Sequence, residues 1–318
     1  CDMQHIDLDE QVAIKKEIVL ENLKRIGKIE VDEASRTFTY GEPFSGQSLA
    51  YRKRVRFQVD LKNQRVGFIA KKSHQVVDIH SCPILSQSLN EFLGAKRELL
   101  LKRAKELSLQ RHLAIVSVPA IEGDGGKVSI NEETICVTVN EKPLFVNATV
   151  FFQTHQEVLS HMIDVVKRWS IGDTIIDLYS GIGTFASCVE KEGREVFAIE
   201  RDRKCVALAK KHLTNTTFFT DDAELWIKKF PHQKVGTIIV DPPRAGLAVD
   251  VISSIRKIKP THLIYISCDS ATFSRDANLL IEKGYSLDTL EYLEMYPHTS
   301  HTETMALFIF DKHEEKDS

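Results

Sequence analysis

"TIIDLYSGIGTFA", residues 174–186, runs a strand of apolar residues into a turn with two glycines. Gly181 and Gly183 free the backbone to turn tightly and to approach a ligand closely. The same beat repeats on both sides. A helix at 155–169 precedes it. Strand 195–200 ("EVFAIE") leads to helix 203–213, strand 216–220 to helix 222–230, strand 236–241 to helix 248–258 and strand 262–267 to helix 270–283. Strands near 286–294 and 304–310 close the chain. Alternating strands and helices predict an α/β fold with a doubly wound, mostly parallel sheet. Such sheets bind ligands at the carboxyl ends of their strands.

The earlier part of the chain has a different texture. Residues 8–26 predict an amphipathic helix with Val12, Ile18, Val19, Leu23 and Ile26 on its buried stripe. Residues 31–50 read as a loop. Strands are expected near 51–60, 65–70 and 75–79, a helix over 84–107, and strands near 112–118, 126–131 and 134–140. "EGDGG" (122–126) reads as a hairpin turn. This predicts a smaller α+β domain over 1–150, including the N-terminal helix, before an α/β domain over 151–318. The tail "DKHEEKDS" (311–318) is expected to fray.

Composition excludes several classes. The hydrophobic share of 42% and charged share of 27% fit a soluble globular protein. No run approaches the ~18 apolar residues of a membrane helix. "CDMQHIDLDEQ" is too acidic for a signal peptide. Cysteines at 1, 82, 136, 188, 205 and 268 form no CxxC pair, which implies reduced thiols and a cytoplasmic location. Residues 1–150 hold 22 Lys and Arg against 20 Asp and Glu, and residues 151–318 hold 20 against 25, so any nucleic-acid surface is sought in the first part. "YRKRVRFQVDLKNQRVGFIAKK" (51–72) is its sharpest basic cluster. Strand alternation there would put Arg54, Arg56 and Gln58 on one face and Val55, Phe57 and Val59 on the other. Such a face suits a phosphate backbone, although charge alone favours a plain solvated sheet face.

The glycine turn carries chemistry as well as shape. Gly181-x-Gly183-x-x-Ala186 satisfies the dinucleotide pattern, which alone is a weak signal. Its neighbours discriminate. Asp177 ends the strand, where the pyrophosphate of a dinucleotide would be repelled and the α-amino group of a sulfonium would be welcomed. Glu200, at the end of the next strand, is placed to accept both ribose hydroxyls. Asp222, after the third, is placed to reach an adenine amine. Three acids at successive strand ends point to S-adenosylmethionine; the plain alternative is a βαβ turn with Asp202 and Asp221 or Asp222 as helix caps.

"DPPR" (241–244) ends the fourth strand, its two prolines stiffening the turn. Arg244 stands where amine-methylating enzymes carry a base-stacking aromatic. Cys268 ends the fifth strand, and a helix start at 270 would help its thiol ionise. Thiolate attack on C6 of a pyrimidine makes C5 nucleophilic, and a base must later remove the C5 proton. "YPHTSHTETMALF" (296–308) offers Glu303 as that base, its proton affinity raised by apolar neighbours. The plain readings are a small buried cysteine and a surface carboxylate. His298 and His301 lack a third ligand for a metal.

Taken together, "DLYSGIGTFA", "DPPRAGL", "YISCDSATFSRD", "YPHTSHTETMALF", "FFQTHQEVL" (151–159) and "YRKRVRF" resemble the RNA 5-methyluridine methyltransferase family over nearly the whole chain. The resemblance implies a Rossmann-like methyltransferase domain using S-adenosylmethionine. It implies Cys268 as nucleophile, Glu303 as base, and Gln153, Tyr179, Glu200 and Asp241 around donor and uracil, with the target base flipped out. Its ribosomal-RNA branch is the closer, which makes 23S rRNA the expected substrate and transfer RNA the alternative. A monomer is expected. Three features depart from the family. It reads Asn-Pro after the nucleophile, where this chain has Asp269-Ser270; a carboxylate facing the sulfur would oppose ionisation. Cluster-bearing members use four cysteines. Cys1 with Gln4-His5, and Cys82 in "CPIL", match the ends of that set, and two ligands hold no [4Fe-4S] cluster unless upstream cysteines complete it. The family's N-terminal RNA-binding barrel would lie upstream of Cys1. A cytosine-C5 target, or a catalytically weak RNA-binding protein of the same fold, are the competing readings.

Overall fold

The computed structural model describes residues 1–111, 113–231 and 234–310; the tail expected to fray lies outside them. In chain order the elements are α1 (Leu8–Arg25), β1 (Thr39–Tyr40), β2 (Phe44–Ser45), β3 (Arg54–Asp60), β4 (Arg65–Ile69), β5 (Val76–Asp78), α2 (Gln87–Ala95), α3 (Arg97–Arg111), β6 (Ile115–Glu122), β7 (Val128–Ser129), β8 (Ile135–Val139), β9 (Lys142–Val146) and α4 (Gln156–Trp169). Then follow β10 (Thr174–Leu178), α5 (Thr184–Val189), β11 (Glu195–Ile199), α6 (Arg203–Ala209), β12 (Thr216–Phe219), α7 (Ala223–Ile227), β13 (Thr237–Val240), α8 (Val249–Ile258), β14 (His262–Ser267), α9 (Ser270–Ile281), β15 (Tyr285–Glu294) and β16 (Glu303–Phe310). They form two compact units. One joins Cys1–Gly46 to the chain from Glu157 onward, and the other is Gln47–Gln156.

The first unit holds a sheet in the order β1-β15-β16-β14-β13-β10-β11-β12, with β2 also on β15. The strands β10 to β14 pair in parallel, and β16 runs antiparallel between β14 and β15. Strand order reverses between β10 and β13, so the carboxyl ends of these two strands frame the ligand crevice. β13 is buried along its whole length, as a parallel strand covered on both faces must be. Its core packs Ile176, Ile238, Leu263 and Phe308 of the sheet against Val251, Phe273 and Leu280 of the helices.

Residues 1–46 therefore belong with the α/β unit and not with the smaller one. Val19 and Leu23 of α1 are fully buried in the same core. Burying each contributes about 1.5–3 kcal/mol. The expected stripe was partly wrong: Ile18 and Ile26 are exposed, and Gln11 and Lys15 are buried instead. A buried ammonium needs a partner. Lys15 Nζ donates to Glu294 Oε1 (2.7 Å) and to the Tyr296 carbonyl (3.1 Å), and Tyr292 donates to the second Glu294 oxygen (2.8 Å). The loop expected over 31–50 contains β1 and β2, two-residue strands too short to show a period.

The second unit is an antiparallel sheet, β5-β4-β3-β6-β7, with a separate β8-β9 hairpin. Val55, Phe57 and Val59 bury against Leu89 and Leu93 of α2 and Leu100 and Ala104 of α3. The single helix expected over 84–107 is two helices, because Lys96 leaves the helical region (φ −120°, ψ 26°). "EGDGG" is a hairpin turn, with Gly125 and Gly126 at positive φ. Arg56 is exposed as expected, but Arg54 is buried. Its Nη2 donates to the Val150 carbonyl (2.9 Å), and its guanidinium lies 5.6 Å from the Phe151 ring centre. Arg54 thus acts as a structural tie within its unit. Arg56, Lys62, Arg65, Lys71 and Lys72 remain as exposed cations. No described helix is long and apolar enough to cross a membrane.

Candidate active site

The glycine turn is tighter than glycine alone explains, because positive φ begins at Tyr179 (φ 61°) and continues at Gly181 (55°) and Gly183 (76°). A bulky residue in that region is strained. Hydrogen bonds hold the turn. Glu200 accepts the Gly181 N–H at Oε2 (3.0 Å) and the Asp202 N–H at Oε1 (2.7 Å). Each carboxylate oxygen keeps a second acceptor site for a hydroxyl. A Cβ on Gly181 would meet nothing within 4 Å, so the backbone there faces open space.

Asp177 is not exposed to a ligand as its position suggested. It is completely buried, and its Oδ2 accepts the Ala186 N–H (2.9 Å), tying strand end to helix. Its Oδ1 is buried with no hydrogen-bond partner. Burial pushes its carboxyl up to about 8, with Asp241 and Glu200 adding repulsion. The folded state therefore holds this proton more tightly than the unfolded chain. That contribution is complete below the ordinary carboxylate value of about 3.9 and is lost as pH rises through about 8. Asp177→Asn, which carries no charge, is expected to gain thermal stability over the parent as pH rises from 5 to 8. Equal differences in melting temperature at both ends would refute this.

Asp222 caps α7, accepting from Glu224 N (3.0 Å), as the plain reading held. Its side chain also hydrogen-bonds Glu224, which holds Asp222 low and Glu224 high. Tyr179 donates to Glu224 Oε1 (3.2 Å), a partner that sequence reasoning missed.

Cys268 and Glu303 meet through strand register. In the β14–β16 ladder Ser267 faces Thr304, and each step down one strand is a step up the other. Cys268 and Glu303 are the next residues beyond that last pair, and the Glu303 carboxylate acts on the Cys268 thiol. Glu303 is buried, and its Oε2 has no hydrogen-bond partner. Burial pushes its carboxyl well above the usual range, Asp241 pushes the same way, and Arg244 opposes. The half-buried Cys268 thiol does not gain the expected net help toward thiolate. Burial, Glu303 and Asp241 push it up to about 11, against the charge and hydrogen bond of Arg244. Asp269 does not oppose it as suspected: its Oδ1 turns into α9 and accepts the Thr272 N–H (2.9 Å). Asp241, raised by burial to about 7, acts on both Asp177 and Cys268 and so links the glycine turn to the thiol.

Arg244 is exposed, with Nη2 3.4 Å from His301 Nδ1. His298, at φ 66°, is held by Gln11, whose Oε1 accepts the His298 N–H (2.8 Å) and whose Nε2 lies 3.3 Å from Nδ1. Gln11 and His298 were not legible as partners in sequence. Gln153 belongs to the other unit, where it is buried with Oε1 unpartnered. Cys1 and Cys82 fall in different units. Among the described residues no group of three His, Cys, Asp or Glu is placed to hold a metal.

The family model described as tRNA (Uracil-5-)-methyltransferase matches residues 219–310, the stretch carrying Asp222, Asp241, Arg244, Cys268 and Glu303. The 23S rRNA (uracil(1939)-C(5))-methyltransferase RlmD of Pseudomonas savastanoi pv. phaseolicola is 30% identical, the alignment spanning 98% of this chain and 78% of the relative. The chain belongs to the RNA uracil-C5 methyltransferase family. The RlmD of Aliivibrio fischeri is 29% identical over 97% of this chain and 79% of its own. The crystal structure of Pyrococcus abyssi tRNA (uracil-54, C5)-methyltransferase in complex with S-adenosyl-L-homocysteine superposes with a TM-score of 0.73 at 23% identity. It covers 96% of this chain and 85% of that one. The fold of this uracil-C5 methyltransferase is that of the S-adenosylmethionine-dependent methyltransferases.

Proposed function

We propose that the chain methylates C5 of a uridine in 23S rRNA through a covalent bond between Cys268 and C6, acting in the cytoplasm. The observation that carries this reading is that Cys268 and the buried Glu303 directly follow the last β14–β16 pair, Ser267–Thr304, at the carboxyl edge that also holds the glycine turn. S-adenosylmethionine, when bound, supplies an electrophilic methyl group. Gly181, Gly183, Tyr179, Glu200, Asp222 and Asp241 would hold it, and the open face above Gly181 and the spare acceptor sites of Glu200 suit it.

The residues act in sequence. Cys268 loses its proton to solvent and its sulfur bonds to C6, Arg244 favouring the thiolate. The displaced electron pair makes C5 an enolate carbon, which takes the methyl group. Glu303 removes the C5 proton; a carboxylate with raised proton affinity is the stronger base for this step. The C5–C6 double bond re-forms and the C6–S bond breaks, releasing the sulfur. On the other unit, exposed Arg56 and its basic neighbours offer phosphate contacts.

Donor carrying a labelled methyl group, offered with 23S rRNA and tRNA transcripts, tests the reading. Label in 23S rRNA, mapped by mass spectrometry to 5-methyluridine, is expected. Label in tRNA alone would move the substrate to transfer RNA, and label in neither would end the proposal.

A further inference from the structure

The Arg-Asp pair at 275–276 lies outside the reaction as derived above, yet it ties α9 to the loop that carries Arg244. Asp276 is fully buried. Its Oδ2 accepts the Leu247 N–H (2.7 Å) and the Tyr265 hydroxyl (2.7 Å). Its Oδ1 accepts from Arg275 Nε (2.8 Å) and Nη2 (2.7 Å). Arg275 Nη2 donates further to the carbonyls of Ala245 (2.8 Å) and Leu247 (3.4 Å). One turn earlier on α9, Thr272 Oγ1 donates to the Arg244 carbonyl (3.0 Å). Gly246 has φ 75°, and a Cβ there would run into Asp276 Oδ2 and Arg275 Nη2. A buried carboxylate is costly unless its acceptor sites are filled, and here Leu247 of the loop after "DPP" fills one, with Tyr265 and Arg275 filling the others. Every residue from 244 to 247 is held or closely approached by α9.

The Arg244 side chain is exposed, so packing does not aim it. Besides the contact with His301 (3.4 Å), its reach depends on its backbone, whose carbonyl Thr272 of α9 holds. We propose that Arg275 and Asp276 are positioning residues: they fix residues 244–247 so that the Arg244 guanidinium stays beside the Cys268 thiol. This rests on the reading of Cys268 as the nucleophile.

The test uses the full chain and a reaction that needs neither RNA nor donor. Iodoacetamide alkylation of Cys268 is followed by peptide mass spectrometry across pH 7–11. One unit of thiol pKa changes the thiolate fraction tenfold. Arg244→Met is expected to slow alkylation at pH 8 by roughly threefold to tenfold and to move the profile to higher pH. Arg275→Met is expected to shift it the same way, and Arg275→Lys, which keeps a donor, to restore part of the loss. In methyl transfer, kcat falls while KM for the donor holds. Thr272→Val releases the loop from the other side and carries the test if Arg275→Met loses its cooperative melt. The proposal is overturned if Arg275→Met and Thr272→Val superimpose on the parent while Arg244→Met shifts, or if Arg244→Met leaves the profile unmoved. Retained methyl transfer in Cys268→Ser would defeat the nucleophile reading separately, without touching the alkylation result.

Discussion

Cys268→Ser is expected to reduce methyl transfer by about 10³-fold or more, the scale on which a lost nucleophile acts. The sulfur directly follows β14, where Glu303 and Arg244 both act on the thiol. A serine hydroxyl there keeps the shape but ionises far less readily. The parent should also form a covalent adduct with RNA carrying 5-fluorouridine, because fluorine at C5 leaves no proton to remove. That adduct, read as a slow band on a denaturing gel, should vanish in Cys268→Ser. A serine variant that keeps a tenth of the activity, or that still traps the RNA, would show that the sulfur is a packing residue.

Glu303→Gln is expected to act in the opposite direction on the same gel. The amide is nearly isosteric, so the fold and the attack by sulfur should survive. Without a base the C5 proton stays, the C6–S bond cannot break, and turnover falls by about 10²–10⁴-fold. The methylated adduct should therefore accumulate with ordinary RNA and donor, where the parent releases product. Turnover within a few-fold of the parent, or a block with no adduct, would remove Glu303 from the role of base. The two substitutions together separate the steps, since one prevents the bond to C6 and the other prevents its cleavage.

Several parts of this site were readable from local sequence. The glycine turn, the strand–helix rhythm and the carboxyl-edge positions of Glu200, Asp241 and Cys268 depend on residues close along the chain. The run His262–Ser267 and the turn 180–183 specify their backbone almost unaided. The sense of the thiol's shift was not readable: the start of α9 suggested a lowered value, and burial with Glu303 and Asp241 reverses it. Asp177 looked like a ligand group and is sealed beneath the turn. Arg54 shares its strand face by alternation with Arg56, yet a carbonyl at Val150 draws it inside. The stripe on α1 was misjudged because Gln11 and Lys15 are buried by polar partners at His298 and Glu294, far along the chain.

Sequence alone determined that this chain forms a doubly wound α/β unit with a glycine turn, acids at strand ends and a cysteine at the same edge. Backbone propensity and side-chain period act over a few residues, and that is where such information resides. Tertiary structure decided which of these groups meet. The antiparallel insertion of β16 beside β14 sets Glu303 against Cys268, α9 holds the loop that carries Arg244, and residues 1–46 join a sheet built mainly from the far end of the chain. Register and burial decide those meetings, and both depend on residues that become neighbours only once the core has closed.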